Sequence, residues 1–167
     1  MTLIEFEKLL DKMFMMDEIR KKQKHSSHNP DTLSFISLND FKSFANDLND
    51  DKGSDFFSTI NRILGPNRSW ASVFKKIDVD YNNYMSKIKK DSIPTRDTII
   101  KIIFGLECNI HEAIEILKSA KYTFSDNTRD KILKKAIEEQ FLDFEGLDRV
   151  LIGRGCDTLF YDKQQYL

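Results

Sequence analysis

Apolar positions recur at helical spacing along most of the chain, and nowhere do they alternate with period two over a strand's length. Leu3, Phe6, Leu10, Met13 and Phe14, widened by Leu9 and Met16, predict a first helix over 2–20. Thr2 and Glu5 stand at capping-box spacing at its start. A polar run, Arg20 to Asp31, reads as a mobile loop near 21–32. Leu38, Phe41, Phe44, Ala45 and Leu48 predict a second helix over about 38–49, stopped by Asn49-Asp50-Asp51-Lys52-Gly53. Phe56, Phe57, Ile60 and Leu64 form the next apolar face, ended by Gly65-Pro66.

Ser69 is placed to cap a helix that turns Trp70, Val73, Phe74 and Ile77 inward, and Asp80 to cap a short polar one after it. Thr95, after Pro94, opens the most apolar segment, with Ile99, Ile100, Ile102, Ile103, Phe104 and Leu106. Asn109 caps a helix through Ala113, Ile114, Leu117 and Ala120. Ser125 or Asp126 caps one through Ile132, Leu133, Ala136 and Ile137. The last runs from about 143 to 152 and stops at Gly153. The pattern predicts an all-α protein without internal repeats. Residues 1–53 form an N-terminal helical pair, and residues 54–167 form a second domain.

Net charge is -1 over 167 residues, but its distribution is uneven. Between 60 and 104 stand nine bases (Arg62, Arg68, Lys75, Lys76, Lys87, Lys89, Lys90, Arg96, Lys101) and four acids (Asp78, Asp80, Asp91, Asp97). A basic middle between mildly acidic ends fits either a local nucleic-acid contact or ordinary charged helix surface. No apolar run approaches the roughly 18 residues of a membrane span, and Met1–Glu7 carries acid where a secretion signal carries base. These features lead to the expectation of a cytoplasmic protein. Cys108 and Cys156, the two cysteines, are expected to be reduced residues rather than a bridge.

His25 and His28 are spaced H-x-x-H but lack a nearby Cys or acid at metal spacing, so no metal site is expected. Nucleophile-elbow, Walker and dinucleotide motifs are absent from the sequence, and neither enzymatic activity nor a cofactor is expected.

Several segments carry a resemblance. Ser69 to Ile77, Tyr84-Met85-Ser86-Lys87-Ile88, Pro94-Thr95-Arg96-Asp97-Thr98-Ile99 and Ile103 to Ala113 resemble the scaffold helix, the recognition helix and the following helices of the Cro/C1-type (phage-repressor-like) helix-turn-helix domain. Residues 54–160 are similar to a longer form found in small bacterial and mobile-element proteins. That likeness is carried by Leu117 to Ser125, Asp130-Lys131-Ile132 and Leu147 to Leu151. Lys121 stands where that form usually has Gly.

The resemblance implies a five-helix domain with two extra C-terminal helices. It also implies a transcriptional regulator that reads double-stranded DNA, as a homodimer, through a helix near 80–90. Tyr81, Asn82, Asn83 and Ser86 would meet base edges, and Lys87, Lys89 and Lys90 the groove wall or phosphate. Arg68, Ser69 and Arg96, at helix starts, would hold phosphate. The alternative is a protein partner, with the helix-turn-helix serving only as the scaffold of an inhibitor or adaptor.

Overall fold

The computed structural model describes residues 1–26, 56–77, 80–82 and 93–161. Seven helices occur among them: α1 (Leu3–Ser26), α2 (Phe56–Leu64), α3 (Trp70–Lys76), α4 (Arg96–Gly105), α5 (Ile110–Ser119), α6 (Thr128–Glu138) and α7 (Phe144–Gly153). The described residues contain no strand, and the chain is all-α. It divides into two compact units, Met1–Lys8 with Ser54–Leu167, and Leu9–Gly53.

In the larger unit α5 is the hub, packing on α2, α4 and α6; α3 packs on α4 and α7 on α6. The core follows the apolar stripes. Ile99, Ile100, Ile102, Ile103 and Phe104 of α4 are all buried, so that helix meets protein on most sides. Phe6 belongs here too: its ring stacks on Phe141 at 4.3 Å. Met1–Lys8 groups with the larger unit, where the Phe6–Phe141 stack is one of its contacts. Of the smaller unit only the continuation of α1 is described. It carries exposed Met15, Met16 and Ile19 and runs on to Ser26, past the end predicted from apolar spacing. Arg20 to Lys24 are mostly straight-chain residues with good helix propensity, and they extend the helix without a face to bury. The helix expected over 38–49 and the rest of the loop expected near 21–32 lie outside the described residues.

Capping fixes most of the helix starts. Thr2 and Glu5 form the capping box expected of them. Ser69, Thr95 and Asn109 each accept an N–H of the first turn, and Glu112 completes a box with Asn109. α6 is capped one or two residues later than expected, by Asn127, whose Oδ1 accepts the Asp130 N–H at 2.7 Å. Ser125 is engaged elsewhere, donating its N–H and hydroxyl to the Asp130 carboxylate at 2.6 and 2.8 Å.

Four consecutive helices end alike. Glu107, Lys121, Gln140 and Gly155 adopt left-handed backbone with φ of 52°, 61°, 52° and 72°. The following N–H bonds five residues back each time: Cys108 to Ile103, Tyr122 to Leu117, Phe141 to Ala136 and Cys156 to Leu151. This is the Schellman closure, made three times by a residue other than glycine. α7 accordingly includes Gly153 and closes at Gly155.

A short sequence pattern recurs at two helix starts. Thr95-Arg96-Asp97-Thr98-Ile99-Ile100-Lys101 opens α4, and Thr128-Arg129-Asp130-Lys131-Ile132-Leu133-Lys134 opens α6 with the same pattern. The two helices reach their left-handed closures, Glu107 and Gln140, at matching positions. The likeness is confined to these short segments.

Candidate nucleic-acid interface

The candidate interface begins where α3 and α4 meet. They approach closely because Gly105 has no side chain: a Cβ there would lie 2.9 Å from methyls of both Val73 and Ile77. Between them in sequence lie the described residues 80–82. Asp80 accepts the Asn82 N–H at 2.9 Å, and Tyr81 and Asn82 are helical and exposed. The Tyr81 ring lies 5.8 Å from Phe74, so contact with the α3 core orients the first turn. Asn83, Ser86, Lys87, Lys89 and Lys90 lie outside the described residues.

Arg68 and Arg96 are both taken up by the fold. The Arg68 guanidinium donates to Ile63 O at 3.0 Å, Leu64 O at 3.2 Å and Leu106 O at 2.5 Å. It thereby satisfies carbonyls that the ends of α2 and α4 leave without helical partners. Arg96 donates to Thr123 O at 3.1 Å and pairs with Asp130 at 2.7 Å, and its guanidinium carbon lies 6.0 Å from the Phe124 ring centroid. Ser69 is exposed, with its Oγ accepting the Ser72 N–H. Of the described candidates, Tyr81 and Asn82 face solvent on one turn, whereas both arginines work as internal ties.

Asp130 is the residue that composition and spacing missed. Its side chain is 2% exposed. Burial alone would push its carboxyl up, but the Ser125 N–H and hydroxyl and the Arg96 guanidinium outweigh burial and hold it below its ordinary value. One oxygen, Oδ1, has no hydrogen-bond partner. Beside it, Arg129 forks onto Asp97 at 2.9 and 3.0 Å. Burial works against the Arg129 charge, and Asp97, with Asp130 and Asp157 nearby, overrides that and raises its pKa. The Arg-Asp pairs of the two helix starts are thus cross-linked reciprocally: Arg96 to Asp130, Arg129 to Asp97. The doubled Thr-Arg-Asp was the signal in the sequence that could have revealed this.

A second buried acid secures the C-terminal segment. Asp148 is fully buried, and its carboxylate accepts the N–H groups of Leu159 at 2.6 Å, Phe160 at 3.0 Å and Tyr161 at 2.8 Å. Phe160 then stacks on Phe144 at 4.1 Å. Phe160 therefore docks on the fold. Tyr166 and Leu167 lie outside the described residues. Cys108 is buried and free, and its thiol is pushed up to about 12, first by burial and then by Glu112, with Arg68 opposing. Cys156 is half-buried and not in a disulfide. No helix among the described residues is long and apolar enough to cross a membrane.

Comparison with known proteins finds no matching family model, curated protein or solved structure.

Proposed function

We propose that the protein is a sequence-specific DNA-binding regulator of the repressor-like helix-turn-helix kind, reading the major groove with the helix that begins at Asp80. The observation that supports this reading is the presentation of that first turn. A Ser69-capped helix and a Thr95-capped helix pack together, and the turn between them in sequence offers Tyr81 and Asn82 to solvent. An asparagine amide can pair with both major-groove edge atoms of adenine. The base-reading set is Tyr81, Asn82, Asn83 and Ser86; Lys87, Lys89 and Lys90 supply phosphate contacts, with the exposed Ser69 at the scaffold helix start. Arg68 and Arg96 leave the set, because their guanidinium groups are held by carbonyls and by Asp130.

Few phosphate contacts and a net charge of -1 imply weak binding by one copy, so the reading includes a homodimer on a palindromic site. Asn83→Ala combined with Lys87→Ala is expected to abolish specific duplex binding while leaving stability within about 1 kcal/mol of the parent. Unchanged binding by that variant would refute the reading.

The internal engagement of Arg68 and Arg96 favours a second reading, in which the domain is the scaffold of an inhibitor or adaptor that binds protein. It predicts no duplex binding at any salt concentration.

A further inference from the structure

Between α5 and α6 lies a groove that the DNA reading does not use. It has a volume of about 190 Å³ and is lined by Ile114, Leu117, Lys118, Tyr122, Thr123, Phe124 and Lys134. Its chemistry is one-sided: aliphatic side chains, two aromatic rings, two lysines, and no acid.

We propose that this groove docks an acidic segment of a partner protein. One aliphatic or aromatic side chain of that segment would fill the groove, and carboxylates on either side of it would meet Lys118 and Lys134.

Charge complementarity argues for this occupant. On α6, Lys131 pairs with Asp126, and Lys135 with Glu138 and Glu139. Lys134 stands between these two, exposed, and joins no ion pair among the described residues; the same holds for Lys118 on α5. Lys121, exposed at the closing turn of α5, adds a third base close by in the chain. Two lysines in a lining that holds no acid favour a negatively charged partner.

Size narrows the choice. Pockets that enclose drug-sized ligands measure about 300–1,000 Å³. A groove of about 190 Å³ suits a single side chain better than a whole nucleotide. Its aliphatic members offer nothing to the hydrogen-bonding edge of a base, whereas leucine or phenylalanine needs only contact there.

The aromatic wall is already fixed. The Tyr122 N–H donates to Leu117 O at 2.8 Å. Thr123 O accepts from Arg96, and the same guanidinium lies near the Phe124 ring. Ser125, next in the chain, is tied to Asp130. A backbone tied to α4, α5 and α6 beneath the two rings reduces the ordering that a ligand must pay for, which favours useful affinity from a small contact.

The test is selection of a displayed library of random dodecapeptides on the full chain. The recovered peptides are expected to share one Leu, Ile or Phe flanked by Asp or Glu. A synthetic copy of the most enriched peptide should shift the methyl resonances of Ile114 and Leu117. Lys118→Glu with Lys134→Glu should weaken that peptide by at least about tenfold, with an unchanged circular-dichroism spectrum. Duplex-DNA binding, which belongs to residues 80–90, should be the same in this variant and the parent, so the two proposals fail separately. Three results would overturn the docking site: no acidic-apolar consensus, a consensus peptide that binds the double variant equally well, or perturbation of the same methyls by oligothymidylate in place of peptide.

Discussion

At the scale of single residues, the reciprocal pairs Arg96–Asp130 and Arg129–Asp97 decide most of what can be tested. Asp130 is buried, so removing its cation leaves an uncompensated charge in the interior. Arg96→Ala is expected to destabilise the protein by about 3 kcal/mol, read by urea unfolding. Asp97 is half exposed, and Asp97→Ala should cost well under half as much. The folded-state pKa of Asp130 is depressed, so its stabilising contribution is complete above the ordinary value of 3.8 and is lost as pH falls through the folded value. Asp130→Asn should flatten the acid limb of the stability profile; an unaltered limb would count against this role. The two thiols separate as well. With Cys108 raised to about 12 and buried, Cys156 should react with a maleimide in the native protein and Cys108 only on unfolding, as mass spectrometry of the labelled peptides would show. Sequence identified Arg68 and Arg96 as basic residues at helix starts. It could not show that carbonyls and an acid distant along the chain would claim them, because such partners become neighbours only on folding.

At the scale of elements, helix starts were easier to read than helix ends. Ser69, Thr95 and Asn109 announce themselves because an N-cap is a local side-chain-to-backbone bond. Ends closed by Glu107, Lys121 and Gln140 do not, since the usual mark of a left-handed closure is glycine. Lys121 alone was marked, as a departure from the related domain. A non-glycine residue in this conformation costs roughly 1–2 kcal/mol, partly offset by the chain entropy that glycine adds to the unfolded state. Lys121→Gly is therefore expected to stabilise by about 1 kcal/mol; a lower melting temperature would contradict the closure described. Gly105 works in the opposite sense. An added methyl at 2.9 Å from Val73 and Ile77 would push α3 from α4, and Gly105→Ala should cost about 1–3 kcal/mol in thermal unfolding. If α3 and α4 form the scaffold of the DNA reader, that variant should also weaken duplex binding.

At the scale of the whole molecule, apolar periodicity was enough for the all-α class and for the core residues of α2 to α7. It was not enough to assign residues to compact units. Phe6 and Phe141 lie far apart in sequence, yet their rings stack within the larger unit, to which Met1–Lys8 belongs. Nor did spacing reveal that Asp148 gathers three N–H groups of the C-terminal segment, since a carboxylate on an otherwise apolar helix face reads as a surface residue. The candidate site was legible only as a motif. Tyr81 and Asn82 are exposed, while the guanidinium groups of Arg68 and Arg96 are held by backbone carbonyls and by Asp130. The proposed DNA-reading function therefore rests on the segment that begins at Asp80. The most direct measurement is selection of bound duplexes from a random pool by the purified full chain, at two salt concentrations. The account predicts enrichment of a palindromic motif whose binding weakens steeply as salt rises. A folded, helical sample that enriches no motif would contradict it and leave the helix-turn-helix as a scaffold for binding protein.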